Sequence, residues 1–138
     1  FMGKIGIIYW SGTGNTEAMA KAMAEGAKAE AVNVADITPE AAAEFDKLLL
    51  GCPSMGAEVL EEGEFEPFFT ALEGRLSGKR VALFGSYGWG DGEWMREWEV
   101  RVAAAGAKLF ESGKIVNEAP DDGALSDCRA FAERFAAS

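Results

Sequence analysis

The chain has 138 residues, 49% of them hydrophobic and 26% charged, which is enough for one domain over residues 1–138 with a full core. Its net charge of −10 disfavours nucleic acid and anionic membranes as partners, and no apolar run approaches a membrane span of roughly 20 residues. Histidine is absent and only Cys52 and Cys128 occur, which argues against a metal site and a disulfide framework. We therefore expect a protein of the reducing cytoplasm.

The first predicted element is an apolar run that a segment rich in glycine and hydroxyl groups follows at once. Residues 4–9 are almost continuously apolar, as in a strand covered on both faces. The next residues are Ser11-Gly12-Thr13-Gly14-Asn15-Thr16, and a helical pattern covers residues 15–29. This layout is typical of a phosphate site, because free N–H groups and the dipole at a helix start favour an anion. The loop has no Lys or Arg, so neutral donors would hold the phosphate.

Two other phosphate loops and an ordinary turn are the alternatives for this segment. A mononucleotide P-loop ends in Gly-Lys-Ser/Thr, whereas this loop ends in Gly-Asn-Thr, which argues against ATP or GTP hydrolysis. Gly12 and Gly14 match a dinucleotide fingerprint, but that motif needs a small residue where Glu17 stands. Asp36 lies at a suitable distance along the sequence for a ribose contact, which keeps the dinucleotide alternative open. An ordinary glycine-rich turn is the remaining alternative.

Strands and helices alternate through the rest of the chain. Strands are predicted at residues 31–35, 46–52, 79–85 and 108–116, the last of which Gly113 could interrupt. Helices are predicted after Thr38, from Phe65 to Leu72, and over residues 93–105 and 122–137. This alternation predicts an α/β fold, a three-layer sandwich with helices on both faces of a five-stranded parallel sheet. Ligands of such sheets bind beyond the carboxyl ends of the strands, where the loops at 10–16, 52–63 and 86–92 should meet.

The second and third of these loops also have an unusual composition. They read Pro53-Ser54-Met55-Gly56-Ala57-Glu58 and Gly85-Ser86-Tyr87-Gly88-Trp89-Gly90-Asp91-Gly92-Glu93-Trp94. Exposed aromatic side chains on a glycine-rich loop often cover a planar ligand. We expect this of Trp89, which lies between two glycines, whereas Trp94, at a predicted helix start, should pack into the core.

Together, the three loops resemble those of flavodoxins, in particular the short-chain flavodoxins of clostridia and rumen bacteria. The resemblance covers essentially all 138 residues, and the loops occur in the family's order and spacing. It implies a flavodoxin-like sheet with the strand order 2-1-3-4-5. It also implies a monomer that binds one FMN non-covalently, without a metal ion, and carries single electrons at low potential without being an enzyme.

The resemblance also implies which residues bind FMN. The predicted cofactor site consists of Ser11, Gly12, Thr13, Gly14, Asn15, Thr16, Pro53, Ser54, Met55, Gly56, Glu58, Ser86, Tyr87, Gly88, Trp89 and Gly90. The phosphate would be bound by Ser11, Thr13, Asn15, Thr16 and Ser54. Met55 and Trp89 would lie on the two faces of the flavin, Glu58 would accept its pyrimidine N–H, and backbone N–H groups near Gly88 would meet a ring oxygen. Gly56 would let the Met55–Gly56 peptide turn when a protonated semiquinone forms.

Acidic residues surround the predicted site and are the reason to expect a low potential. They are Glu58, Glu61, Glu62, Glu64, Glu66, Asp91 and Glu93. About five such charges near 10 Å would oppose an anionic reduced flavin by roughly 2 kcal/mol, unless the cluster serves only solubility. The same charge predicts redox partner proteins with basic docking surfaces. The alternative function, a small FMN-dependent quinone or flavin reductase, needs an open pocket beside the flavin that Trp89 would block.

Overall fold

The computed structural model describes residues 4–138, in which strands and helices alternate. The strands are β1 (Ile5–Tyr9), β2 (Ala31–Asn33), β3 (Lys47–Gly51), β4 (Arg80–Tyr87), β5 (Lys108–Leu109) and β6 (Lys114–Asn117). The helices are α1 (Asn15–Ala27), α2 (Pro39–Ala42), α3 (Phe65–Glu73), α4 (Glu93–Ala104) and α5 (Asp122–Ala137). None of the helices within residues 4–138 has both the length and the apolar character that crossing a membrane requires.

The strands form one parallel sheet in the order β2-β1-β3-β4-β5, with β6 also paired to β4. This confirms the predicted α/β fold and the strand order 2-1-3-4-5. β1 pairs with β3 up to Tyr9 and Gly51, and β3 pairs with β4 up to Gly51 and Phe84. Because these strands are parallel, the loops after β1, β3 and β4 leave the sheet at the same edge.

Two hydrophobic clusters cover the two faces of the sheet. Successive strand residues point to opposite faces, so Ile7 and Leu49 join the cluster of α1 and α5, whereas Ile8 and Leu50 join that of α3 and α4. Trp94 is only 1% exposed and packs in the second cluster, as predicted. Each face of the sheet is therefore covered by its own pair of helices, and this packing holds the strands from which the loops emerge.

The predicted fifth strand, residues 108–116, is divided in two. Residues 110–113 leave the sheet between β5 and β6. The ring of Phe110 packs against the rings of Phe131 and Phe135 in α5, at centroid distances of 5.5 and 5.3 Å. The Phe110 N–H nevertheless donates to the carbonyl of Val81 in β4 at 2.8 Å, and the break follows it, where Glu111 has a left-handed φ of 51° and the Gly113 N–H donates to Glu99. The sheet therefore has six strands where five were predicted, with the interruption near Gly113 that the sequence allowed for.

β4 is longer than the predicted strand over residues 79–85. Ser86 and Tyr87 belong to β4, because they pair with Val116 and Asn117 of β6. The third loop therefore begins at Gly88 and not at residue 86. Alternation of side chains along one strand cannot show how far a neighbouring strand extends, which explains the error.

Helix ends follow the local chemistry of the chain. The side chain of Thr38 accepts the N–H of Ala41 at 3.1 Å and caps α2, as predicted. α1 ends at Ala27, two residues earlier than predicted, because Lys28 adopts a left-handed φ of 54°. The bounds of α5 agree with the predicted residues 122–137.

Candidate functional site

A cavity of about 340 Å³ lies where the loops after β1, β3 and β4 meet. Most of the predicted site residues line it: Ser11, Gly12, Thr13, Asn15, Thr16, Pro53, Ser54, Met55, Ser86, Tyr87, Gly88 and Trp89. Segments that are far apart in sequence thus line one continuous site at the carboxyl edge of the sheet. Its volume falls in the range of cofactor and small-molecule sites, roughly 300–1,000 Å³.

The other predicted site residues lie outside the lining of this cavity. They are Gly14, Gly56, Glu58 and Gly90. The three glycines have φ angles of 98°, 51° and 78°, in the left-handed region that residues with a side chain rarely adopt. These glycines therefore shape the loops around the cavity without forming its walls.

A larger cavity, of about 640 Å³, lies at the other end of the sheet. It is lined by the first residues of β1 together with side chains such as Lys28 and Phe45. Ligands of parallel sheets bind beyond the carboxyl ends of the strands, and the buried polar side chains converge on the smaller cavity. We therefore assign the functional site to the smaller cavity.

Buried hydroxyl groups concentrate at one end of this smaller cavity. Among the described residues, the buried polar ones are Thr16, Ser54 and Ser86, with exposures of 1%, 5% and 5%, and all three line the cavity. Thr16 Oγ1 accepts the N–H of Ser86 at 3.3 Å, which joins the first loop to β4. Within the described chain, Ser54 Oγ has no hydrogen-bond partner. Because buried polar groups are nearly always paired, this hydroxyl indicates a polar ligand group in the cavity.

Ser11 organises the first loop from within. Its Oγ accepts the N–H groups of Gly14 and Glu17, at 3.1 and 3.2 Å. A hydroxyl has two acceptor positions and one proton, so Ser11 and Thr16 can still donate to a ligand. We call the end formed by Ser11, Thr16 and Ser54 the phosphate end. Of the described residues that line the cavity, none is Lys or Arg, so the donors there are neutral.

Trp10 and Glu118 also line the cavity and were not predicted from the sequence. The Trp10 ring lies under Gly12, where a Cβ would stand 2.9 Å from it, and its Nε1–H donates to Glu64 Oε1 at 3.1 Å. Glu118 directly follows β6, and its N–H donates to the carbonyl of Tyr87 at 2.7 Å. A position beyond the carboxyl end of a strand was the signal that could have identified Glu118. Trp10 begins the first predicted loop, residues 10–16, but it precedes the motif from which the site residues were chosen.

The opposite end of the cavity, which we call the open end, is lined by Met55 and Trp89, and the turn from Met55 to Val59 supports it. Trp89 is 56% exposed although it is a large apolar side chain. Met55 and Val59 exchange two backbone hydrogen bonds of 2.8 and 2.9 Å, which close the turn that contains Gly56. A wide aromatic surface next to an apolar thioether suits a flat ligand.

Glu58 joins the second loop to the third. Its Oε1 accepts the N–H of Glu93, the first residue of α4, at 3.1 Å. A Cβ on Gly90 would clash with the Glu58 carboxylate, so glycine allows the two loops to approach. Glu58 itself has a left-handed φ of 55°. Glu58 and Gly90 therefore fix the geometry of the open end together.

Part of the predicted acidic cluster has a structural role. The carboxylate of Glu61 accepts the N–H groups of Gly63, Glu64 and Phe65, at 2.7, 2.8 and 2.8 Å, and so caps the start of α3. A carboxylate at a helix N-terminus is stabilised by the helix dipole. The charge of Glu61 is therefore partly compensated by this helix.

Two further acids of the cluster form ion pairs with arginine. Glu66 lies 2.8 Å from Arg101, whose hydrogen bonds lower the pKa of this carboxyl. Asp91 lies 2.9 Å from Arg96, which lowers its pKa in the same way. Both acids are thus ionised but paired, and with Glu61 they leave four of the seven acids outside these ion pairs and the α3 cap, fewer than the roughly five charges assumed from the sequence. Within residues 4–138, no group of three or more His, Cys, Asp or Glu is arranged to hold a metal ion.

A doubly wound parallel sheet with a loop rich in hydroxyl groups and N–H donors at the β1–β3 switch point defines a protein that binds a phosphorylated cofactor. A family model described as Flavodoxin matches residues 7–131. The chain is 48% identical over 135 residues to a flavodoxin of Clostridium beijerinckii, an alignment that covers 94% of this chain and 97% of the relative. It is 49% identical over 135 residues to a flavodoxin of Megasphaera elsdenii, with 94% and 96% covered.

A solved structure supports the same assignment. The solution structure of two-electron reduced Megasphaera elsdenii flavodoxin superposes with a TM-score of 0.88 at 46% identity, covering 98% of this chain and 100% of that chain. The chain belongs to the flavodoxin family. It is an FMN-binding electron carrier, as the members of this family are, which confirms the resemblance seen in the three loops.

Proposed function

We propose that this chain is a cytoplasmic, monomeric one-domain flavodoxin that carries single electrons at low potential between redox enzymes. The observation that carries the proposal is the cavity of about 340 Å³ with neutral buried donors at one end and an exposed Trp89 at the other. Bound FMN supplies one-electron and two-electron redox chemistry that amino-acid side chains lack. The protein's own contribution is binding, orientation and electrostatics.

The phosphate end has the donor set that a phosphate monoester requires. Ser11 and Thr16 each retain a proton to donate, and the Ser54 hydroxyl is buried without a partner within the described chain. Thr13 and Asn15 line the same end, and the N-terminus of α1 favours a dianion there. Each hydrogen bond to a charged group contributes about 1.5–3 kcal/mol, so neutral donors suffice.

The open end has the surfaces that a flat ring requires. Met55 and Trp89 line the cavity, and the resemblance assigns them to the two faces of the flavin. The backbone of Gly88 and the carboxylate of Glu58 are the polar groups assigned to the ring edge. Glu58 is already oriented by the N–H of Glu93, which limits its freedom before any ligand binds. A preoriented acceptor loses less entropy when it binds.

The low potential and the kind of partner follow from the acids that remain unpaired. Apart from Glu61, which caps α3, the acids of the cluster that form no ion pair among the described residues are Glu58, Glu62, Glu64 and Glu93. Four charges at about 10 Å oppose added negative charge by roughly 1.5–2 kcal/mol in a watery dielectric. They also attract basic docking surfaces of redox partner proteins.

The test is stepwise reduction of the purified protein loaded with FMN, followed by visible absorbance at one pH. We expect one FMN per chain, two resolved one-electron steps, and a second step at a lower potential than in free FMN. Failure to bind FMN, or reduction in one unresolved two-electron step, would contradict the proposal. Sustained turnover with NADH or NADPH and a quinone would instead support the quinone reductase alternative.

A further inference from the structure

Tyr9 and Glu17 form a contact behind the first loop that the sequence did not indicate. Tyr9 ends β1 with 7% exposure, and its hydroxyl donates to Glu17 Oε2 at 3.2 Å. Lys21 stands four residues after Glu17 on α1, and this order and spacing favour an ion pair between glutamate and lysine. The carboxylate turns back toward the sheet instead, and the ion pairs of the described residues do not include it.

The position of Glu17 on α1 makes this contact informative. Gly14 caps α1, so Glu17 is the third helical residue, from which a glutamate commonly reaches back to the N–H of the capping residue. Here that N–H of Gly14 donates to Ser11 Oγ at 3.1 Å, and Glu17 is not among the residues that line the cavity. The N–H group that a glutamate at this position usually accepts is therefore already bonded to Ser11.

A free carboxylate at this position would compete with a phosphate. The N-terminus of α1 attracts any nearby negative group, whether a side chain or a ligand. No Lys or Arg is among the described residues lining the cavity, so no side chain there would neutralise a carboxylate that entered it. Two negative groups sharing neutral donors would repel each other at short range.

We propose that the Tyr9 hydroxyl holds the Glu17 carboxylate away from the first loop and so reserves the N-terminus of α1 for a phosphate monoester. This inference rests on the proposed function, in which that monoester belongs to FMN. Burial, and then the Glu17 carboxylate, raise the pKa of Tyr9, so the hydroxyl keeps the proton that it donates. Tyr9 is in this sense a positioning residue, and Glu17 is the group that it positions.

The test compares FMN with riboflavin, which has the same ring and ribityl chain but no phosphate. The apoproteins of wild type, Tyr9→Phe, Glu17→Gln and the double variant are titrated with each flavin, and quenching of flavin fluorescence is measured. We expect Tyr9→Phe to weaken FMN about fivefold and to leave riboflavin unchanged. High salt should reduce this loss. Glu17→Gln alone should cause no loss, and in the double variant it should restore FMN affinity.

Two further variants separate the contact from its surroundings. Glu17→Asp keeps the charge but shortens the side chain, so it should weaken FMN selectively while Tyr9 stays intact. This variant also tests the proposal if Tyr9→Phe does not fold. Glu25→Gln, two turns later on α1, removes a carboxylate that pairs with Arg129 and should leave both flavins unaffected.

Equal weakening of both flavins by Tyr9→Phe, or a loss that persists in the double variant, would overturn the proposal and show that Tyr9 acts through packing. An unchanged FMN affinity in both Tyr9→Phe and Glu17→Asp would also overturn the proposal. If the wild type still bound FMN more tightly than riboflavin in that case, the proposed function would stand. Wild type that binds neither flavin would refute the proposed function, and the inference with it.

Discussion

The two ends of the cavity are built in different ways. At the phosphate end Thr16 and Ser54 are buried and Ser11 is half-buried, and hydrogen bonds within the protein hold Ser11 and Thr16 before any ligand binds. At the open end the largest side chain, Trp89, is 56% exposed, and the backbone depends on glycines with left-handed φ. One end is a fixed set of donors, whereas the other is an adjustable surface.

This difference suggests a division of roles. Donors that are already in place lose little entropy on binding, so the phosphate end should supply affinity and selectivity for the phosphorylated flavin. A turn with glycine can change its carbonyl orientation at low cost, so the open end should set the potential. Substitutions at the phosphate end should therefore lower the affinity for FMN more than the affinity for riboflavin. Substitutions at the open end should change the affinity for both flavins alike.

The largest effect is expected from Thr16→Val at the phosphate end. The change keeps the shape of the side chain but removes a phosphate donor and the acceptor of the Ser86 N–H. Loss of one charged hydrogen bond costs about 1.5–3 kcal/mol, so FMN affinity should fall by up to about 100-fold, and riboflavin affinity by much less. Thr70→Val, at an exposed position of α3, is the control in the same titration. Equal losses for the two flavins would remove the distinction between the two ends.

The next largest effect is expected from Gly90→Ala at the open end. The added methyl group meets the Glu58 carboxylate and requires a left-handed φ of 78°, a strain of about 1–3 kcal/mol. Affinity for FMN and riboflavin should fall together, about tenfold, because the connection between the second and third loops is lost. Gly78→Ala, between α3 and β4, is a matched control, since Gly78 has a similar φ of 80° and nothing lies within 4 Å of its added methyl group. If both variants behave alike, the contact between Gly90 and Glu58 is unimportant.

Ser54→Ala should have a moderate effect: it should lower the affinity for FMN without lowering the stability of the apoprotein. FMN affinity should fall about tenfold, because the lost hydroxyl is a donor to a charged group. The apoprotein should be as stable as wild type or slightly more stable, since the hydroxyl has no partner within the described chain. Thermal unfolding of the apoprotein and titration with both flavins measure the two quantities. A destabilised apoprotein would mean that this hydroxyl has a structural role.

The smallest effect is expected from Gly56→Ala, which tests the adjustable turn. Gly56 has a φ of 51°, where an L-residue costs roughly 1–2 kcal/mol. Since the carbonyl orientation implied for the reduced flavin needs such a backbone, the potential of the first electron should fall, and Gly56→Val should lower it further. Redox titrations of the series at one pH measure this shift, with Ala57→Ser as the neighbouring control. The same potential throughout the series would exclude the turn as its determinant.

Much of the fold could be predicted because local patterns determine it. Thr38 and Pro39 marked the start of α2, and apolar spacing gave the limits of α5. The sequence allowed for a break of the fifth strand at Gly113, but its extent could not be predicted, because it depends on the left-handed φ of Glu111 and on the Glu99 carboxylate that accepts the Gly113 N–H. The extension of β4 through Tyr87 likewise depends on where β6 lies.

The candidate site was predicted where the loop composition was unusual and missed where it was ordinary. Thr16 and Ser54 stood in conspicuous loops, and both line the cavity. Trp10 and Glu118 line it as well, but each follows a strand as a single residue without a motif. The contact of Tyr9 with Glu17 was missed because helical spacing favoured Lys21, and a local rule does not include a partner from β1.

The hydrogen bond from the Ser86 N–H to Thr16 Oγ1 has a consequence for the order of folding. It spans 70 residues, so the first loop reaches its final form only after β4 has joined the sheet. Contacts of such long sequence separation form late, because closing the intervening chain costs entropy before the contact is gained. A refolding chain should therefore acquire its affinity for FMN in the last phase, together with the central strands and not with α1.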